Sequence, residues 1–415
     1  MNRTALACTC IASLAIVAAT AMLAAGPLDP PAGPVTSTHK TLSEVEPRIA
    51  INAANTPGDA NSLFKIIQPG SYYLTGNVIG VSGKHGIEIA ANGVSIDLSG
   101  FELLGASGSL DAVSDTVNAV NVHVRNGSIR NWGGKGVDCA STEQASVADV
   151  AVRNCAGVGI SLGRHGTVAR CTASSNDGGG IAVSVNSVVT WCSVELNAVS
   201  GIVVGNHSRV VDCVASNNPD DGIVAFPGST IAGCAVSGSG SNGITALAGC
   251  AVLNCSASAN SGTGISAADG CTVTSCTSSG NGFSGIAAGT ACVISGCSAT
   301  GNTVDGIAVG NKCLVTGNYC GAGSGTPGAF SAGIHVSGND NRIEGNLLSG
   351  NARGLDVDSA GNIIIRNTCS GNTINWDIAA GNVGLVVQGL SSAAISGNSG
   401  GVAPGSADPN ANFTY

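Results

Sequence analysis

Residues 180–201 read GIAVSVNSVVTWCSVELNAVSG, and residues 201–222 read GIVVGNHSRVVDCVASNNPDDG. Laid one above the other, they agree in type: each opens on Gly-Ile, and Ser, Val, Cys and Asn follow at the same offsets. The frame runs outward in both directions. Gly-Ile recurs at Gly159, Gly180, Gly201, Gly222, Gly243, Gly264, Gly285 and Gly306, every step being 21 residues. It resumes at Gly333-Ile334 after 27 residues and at Gly354-Leu355 after 21. Gly136-Val137 and Gly86-Ile87 extend it upstream with looser spacing.

Other columns share the period: Cys171, Cys192, Cys213, Cys234, Cys255, Cys276 and Cys297; then Ser187, Ser208 and Ser229, continued by Cys250, Cys271, Cys292 and Cys313. A polar column holds Asn176, Asn197, Asn218, Asn260, Asn281 and Asn302, with Ser239 as its one substitution and Asn351 and Asn372 beyond it. Within a coil apolar residues alternate, as at Ile181 and Val183, which is the period of a strand and not of a helix. The pattern predicts an all-β parallel β-helix: a solenoid of about fourteen coils, three short strands per coil, each column stacking on itself at about 4.8 Å. Leu is too rare for a leucine-rich repeat, and helical repeats need longer periods. Asn is expected to shape the bends, because it tolerates the left-handed conformation and its amide can bond along the stack.

The GI-x-V, C-x-[AV] and Asn pattern resembles the right-handed parallel β-helix repeats of the pectate-lyase-like superfamily. Gln68-Pro69-Gly70-Ser71-Tyr72-Tyr73-Leu74-Thr75-Gly76-Asn77, with Val94-Ser95-Ile96-Asp97-Leu98-Ser99-Gly100, is similar to the entry coils of secreted bacterial members of unassigned activity. The resemblance covers about residues 60–400 and implies the right hand of the coil. It also implies that a site would lie on one strand face, flanked by loops. The Asn-Thr-Asp, Gly-His-Gly and Arg-Ile-Lys motifs of polygalacturonases are absent, as is the Arg-x-Pro-x-x-Arg of pectate lyases. Asp220-Asp221 therefore carries no catalytic role over and reads as a turn.

Lys+Arg is 16 against 25 Asp+Glu, for a net charge of −9, which excludes a nucleic-acid binder built on basic patches. Residues 1–25 read as a secretory signal peptide, with Arg3 ahead of an apolar run and Ala19-Thr20-Ala21 as a cleavage site. An uncleaved anchor is the rival reading. Beyond that run no segment is apolar enough to span a membrane, so the mature chain is expected to be secreted, periplasmic or extracellular, as a monomer or weak oligomer. Residues 26–60 read as a Pro-rich linker and N-terminal cap, with a possible capping box at Thr41-Leu42-Ser43-Glu44. Residues 61–400 form the β-helix, and residues 401–415 a C-terminal cap.

Of 17 cysteines, 15 follow the leader, and all of these fall on inward positions. Cys155 is placed in the long Cys column, Cys139 in the first-strand column, and Cys320 and Cys369 with Val194 and Ala299. In-register side chains point the same way, which favours stacked free thiols over disulfides. The five-residue spacing of Cys250 and Cys255 does not match a zinc site. Trp132 is expected to pack on the rod at a turn, and Trp376 to plug the last coils.

The outward residue of each GI-x-V strand is bland through the middle of the series. Only His335, Asp356 and Asp377, stacked on successive coils beside Arg353 and Asp358, form a charged patch. The extra residues of the 27-residue step, near Gly321–Phe330, lie beside it. His335, Arg353 and Asp356 are the candidate catalytic residues, and Asp356, Asp358 and Asp377 the candidate Ca²⁺ ligands. Lys84, His85 and Glu88 form a smaller polar set near the first coils. The leading expectation is an exported scaffold that binds surface or cell-envelope polysaccharide without evident catalysis. The alternatives are a lyase or hydrolase acting on acidic polysaccharide through the patch, and a structural adhesin rod.

Overall fold

The computed structural model of the chain describes residues 47–321, 331–388, 395–397 and 408–414. Among them are 46 strands and no helix. The strands make two sheets, one of 16 strands and one of 30, all paired in parallel. Each regular coil gives one strand to the first sheet and two to the second. The coil after Gly180 shows this: Ile181–Val183, then Val188–Thr190 and Ser193–Glu195. Register follows the sequence columns: Ile160 pairs with Ile181, Ile181 with Ile202, and Ile202 with Ile223.

Among the described residues sixteen coils are thus present rather than fourteen. Val113–Asp115 and Ser62–Ile66 pair into the first sheet without the Gly-Ile signature, and Ile395–Gly397 adds the last strand. Ile49–Ala50 pairs with Tyr72–Tyr73, so sheet contacts begin inside the stretch expected as linker and cap. Asn412–Thr414 pairs with strand Thr368–Ser370 and brings the tail into the second sheet. The leader, the capping box and the extra residues of the long coil fall outside the described residues.

The bends explain the polar columns. A single residue with positive φ makes each corner: Asn186, Trp191 and Leu196 in one coil, His207, Asp212 and Asn217 in the next. The residue after it turns inward and caps the backbone of the coil before. Ser187 N–H donates to Ser208 Oγ (3.0 Å), Cys192 N–H to Cys213 Sγ (3.5 Å), and Asn197 N–H to Asn218 Oδ1 (3.1 Å). The columned Asn residues are therefore not the left-handed ones; their predecessors are. Three ladders run along the corners, and Ser, Cys and Asn exchange within them because each offers an inward acceptor. Cys313 N–H donates to Asn341 Oδ1 (2.7 Å) and Cys297 N–H to Asn318 Oδ1 (2.9 Å), so both Cys ladders continue as Asn.

Cys155 stands at the head of the Asn ladder, its N–H on Asn176 Oδ1 at 3.1 Å, and not in the long Cys column. That column is preceded by Val150, the neighbour of Ala151, which pairs with Thr172. The fifteen cysteines from Cys139 to Cys369 are all buried free thiols. Burial pushes the thiols of Cys139 and Cys155 up to about 12 and about 11, so both stay protonated. Trp132 is inside the coil and not on it: it is 1% exposed and donates through Nε1 to Leu103 O at 3.0 Å. The space comes from Gly86, where a Cβ would come within 2.7 Å of the indole. Trp376, fully buried, pairs with Leu355 in the inward column as expected.

Candidate functional site

In-register stacking turns a column of sequence into a line on the surface. On the first sheet the outward line runs Ala182, Val203, Val224, Thr245, Ser266, Ala287 and Ala308, and then His335, Asp356 and Asp377. The small residues leave an open trough of about 330 Å³ with Ser266, Ala287 and Ala308 along it and His335 at one end.

At that end the charged side chains form one network. His335 bridges two carboxylates, with Nδ1 at 3.3 Å from Asp305 Oδ2 and Nε2 at 2.9 Å from Asp358 Oδ2. Arg353 bridges two more, with Nη1 at 2.5 Å from Asp356 Oδ2 and Nε at 3.2 Å from Asp377 Oδ2. Asp305 is buried and accepts the Ala332 N–H through its other oxygen at 2.9 Å. Asp356 is also buried, whereas Asp358 is exposed.

These contacts set the protonation states. The hydrogen bond to Asp305, helped by Asp358, outweighs burial and raises the His335 imidazole to about 9. His335 is then a cation at neutral pH. Burial raises the Asp356 carboxyl, against the pull of Arg353. Four carboxylates face two cations, so the patch is net acidic.

The structure thus brings His335, Arg353, Asp356, Asp358 and Asp377 into one patch. It adds Asp305, which the outward column omits because it lies on the bend before Gly306. A signal was present: Asp305 fills the pre-glycine position of its coil, as Arg353 does two coils later, with Ala332 in that position on the coil between. Ligand atoms of His335, Asp356 and Asp358 lie within 4.8 Å of one another, the one such metal-type group among the described residues. Within the Ca²⁺ set expected from the sequence, Arg353 lies between Asp356 and Asp377 and pairs with both. A nitrogen donor in place of an oxygen does not suit the all-oxygen shell that Ca²⁺ prefers.

A second charged group lies on the same face at the N-terminal end. Lys65 Nζ is 2.8 Å from both Asp59 and Glu88, and His85 Nδ1 is 3.3 Å from Asp111. Lys84 instead donates to the Asp59 carbonyl. Burial alone would raise the Glu88 carboxyl, but hydrogen bonds from Lys65 and Thr116 hold it below its ordinary value. Asp221 accepts from the Asn242 backbone (2.8 Å) and from Thr245 Oγ1 (2.7 Å), as a turn residue would.

The profile of the family described as "Right handed beta helix region" matches residues 66–230 and 200–330, well over half of the chain. The chain belongs to this family, which fixes the hand of the solenoid. No curated protein matches it. Among solved structures it is similar to the A-module of the Azotobacter vinelandii mannuronan C-5 epimerase AlgE4, at 14% identity and a TM-score of 0.38, over 73% of this chain and 87% of that one. A tailspike protein of E. coli bacteriophage HK620, in complex with a pentasaccharide, matches at 13% identity and a TM-score of 0.44, over 86% of this chain and 71% of that one. Tailspike protein 3 of bacteriophage CBA120 matches at 12% identity and a TM-score of 0.44, over 77% of this chain and 58% of that one. At these identities the likeness is one of fold.

Proposed function

We propose that this β-helix is an extracellular scaffold that holds a polysaccharide chain lengthwise on its first sheet. One observation carries the reading: the small-residue trough that ends at the His335–Asp–Arg network. Each coil advances the face by about 4.8 Å, close to the length of one sugar in an extended chain. A floor of Ala and Ser lets rings lie close, and the network supplies donors and acceptors for hydroxyl groups at one end. Its surplus of carboxylates favours a neutral, hydroxyl-rich glycan over a polyuronate. The signal-peptide pattern of residues 1–25 supports an extracellular setting.

A second reading, cleavage of an acidic polysaccharide, is favoured by His335 itself. Both its ring nitrogens lie on carboxylates, and the Nε2–H on the exposed Asp358 is the proton it would give once a substrate oxygen displaces that carboxylate.

The test is calorimetry against a panel of neutral and acidic polysaccharides, with Ala287→Trp and Ala308→Trp obstructing the floor. Saturable binding of a neutral glycan, lost in both variants with the circular dichroism unchanged, supports the scaffold. Binding that survives both substitutions overturns the trough as its seat. New reducing ends or unsaturated uronate would replace the scaffold with the enzyme.

A further inference from the structure

The long Cys ladder is a line of thiols in translational register. From Cys171 to Cys297 every sulfur makes the same two contacts. One is with the carbonyl two residues before it in its own coil, at 3.2–3.4 Å; the other is with a carbonyl of the preceding coil, at 3.5–3.7 Å. Identical contacts mean identical placement, so neighbouring sulfurs are one coil apart, about 4.8 Å. A disulfide needs sulfurs at about 2.05 Å. The register that keeps these thiols reduced leaves a gap of a different size.

Two metal–thiolate bonds of about 2.3 Å, laid end to end, span about 4.6 Å. The side chains point across the solenoid axis, so a cation midway between two sulfurs sees them in line along the axis. Each Cβ–Sγ bond then stands near a right angle to the metal–sulfur bond, as a thiolate ligand prefers. We propose that the Cys ladders bind soft monovalent cations of the Cu(I) or Ag(I) type, each held in linear two-coordination between thiols of adjacent coils. Soft thiolates select such ions, and a linear site excludes zinc, which takes four ligands.

In the apolar interior one thiol of each pair loses its proton and the other keeps it. The cation and one thiolate cancel, and one proton leaves per ion bound. Filling adjacent gaps would load one sulfur from both sides, so alternate gaps fill. The seven-thiol ladder then takes about three ions, and the four-thiol ladder from Cys250 to Cys313 takes two.

The experiment incubates the reduced protein without residues 1–25, whose Cys8 and Cys10 would take up silver on their own, with Ag(I), removes loose ion by gel filtration against a weak competing thiol, and counts silver by mass spectrometry. Two triple variants separate adjacency from thiol number, both using Asn, the residue that continues this ladder at Asn318. Cys192→Asn, Cys234→Asn and Cys276→Asn together leave four thiols with no neighbours. Cys171→Asn, Cys192→Asn and Cys213→Asn together leave four that are adjacent. The expected counts are about five for the parent, two for the alternating variant and four for the contiguous one. Equal loss in the two variants, or no silver retained by the parent, overturns the proposal. X-ray absorption on the loaded parent gives an answer independent of variant folding: two sulfurs per silver supports the linear site, and three or four refutes it.

Discussion

Asp305 Oδ2 lies 3.3 Å from His335 Nδ1, although thirty residues separate the two in the chain. The contact crosses from one coil to the next, so the charge on His335 depends on the solenoid being wound. Its folded pKa of about 9 exceeds the 6.5 of a free histidine. The stabilisation from this pairing is therefore complete below about pH 6.5 and is lost as pH rises through about 9. An NMR titration should follow the His335 ring near pH 9, and Asp305→Asn should bring its midpoint down by one unit or more. A midpoint unchanged by Asp305→Asn would remove Asp305 as the cause.

Ser239 interrupts the Asn ladder at a definite cost. Asn218 Nδ2, which would donate to a ladder oxygen on the next coil, is without a hydrogen-bond partner, and so is Ser239 Oγ. Ser239→Asn restores the pattern seen where Asn176 Nδ2 donates to Asn197 Oδ1 at 2.9 Å. The variant should gain about 1–2 kcal/mol, read as a higher urea midpoint. The reverse change, Asn197→Ala, should cost about 2–4 kcal/mol, since it strands groups of both neighbouring coils.

Trp191 and Leu196 are exposed, and both hold positive φ, at 52° and 54°. A left-handed conformation costs a non-glycine residue about 1–2 kcal/mol, and two coils later the same corners carry Gly233 and Gly238. Trp191→Gly and Leu196→Gly should each stabilise by about 0.5–1 kcal/mol after the entropy lost by glycine. Urea unfolding of the two variants checks this, and a fall in either midpoint would show that the exposed side chain contributes more than the bend costs it.

Arg353 decides the response to calcium. Its guanidinium occupies the space between Asp356 and Asp377 and pairs with both, so Ca²⁺ at millimolar concentration should leave the parent's Tm unchanged. Arg353→Gln strands the buried Asp356 and should cost about 3 kcal/mol, with part of it returned by Ca²⁺. Calorimetric scans with and without Ca²⁺ measure both. A clear upward shift in the parent would support the calcium site of Asp356, Asp358 and Asp377.

The solenoid was legible because translation repeats every cue: once Gly180 and Gly201 align, so does everything between them. The coils through Ser62–Ile66 and Val113–Asp115 lack the signature because Leu63 and Ala112 stand where its glycine would be. The stack of His335, Asp356 and Asp377 was readable from register alone. Asp305 does not show in the column of strand centres, because its carboxylate reaches the face from a bend. Cys155 sits in the Asn ladder because Ser, Cys and Asn are interchangeable as inward caps, so residue type does not say which corner is occupied.

The direction of that capping has a consequence for how the chain acquires its structure. At all three corners the backbone of one coil is completed by side chains of the coil after it, as Asn176 is by Asn197 and Cys192 by Cys213. A chain emerging from its N-terminus can set each turn only once the next has arrived, like a zip that closes one tooth behind its slider. Removing turns from the C-terminal side uncaps backbone N–H groups of the new last coil, whereas removing them from the N-terminal side strands side-chain groups such as Asn197 Nδ2, which donates to Ala173 O of the coil before, and leaves the backbone caps of the remaining coils in place. Fraying should therefore travel backwards, toward the first coils.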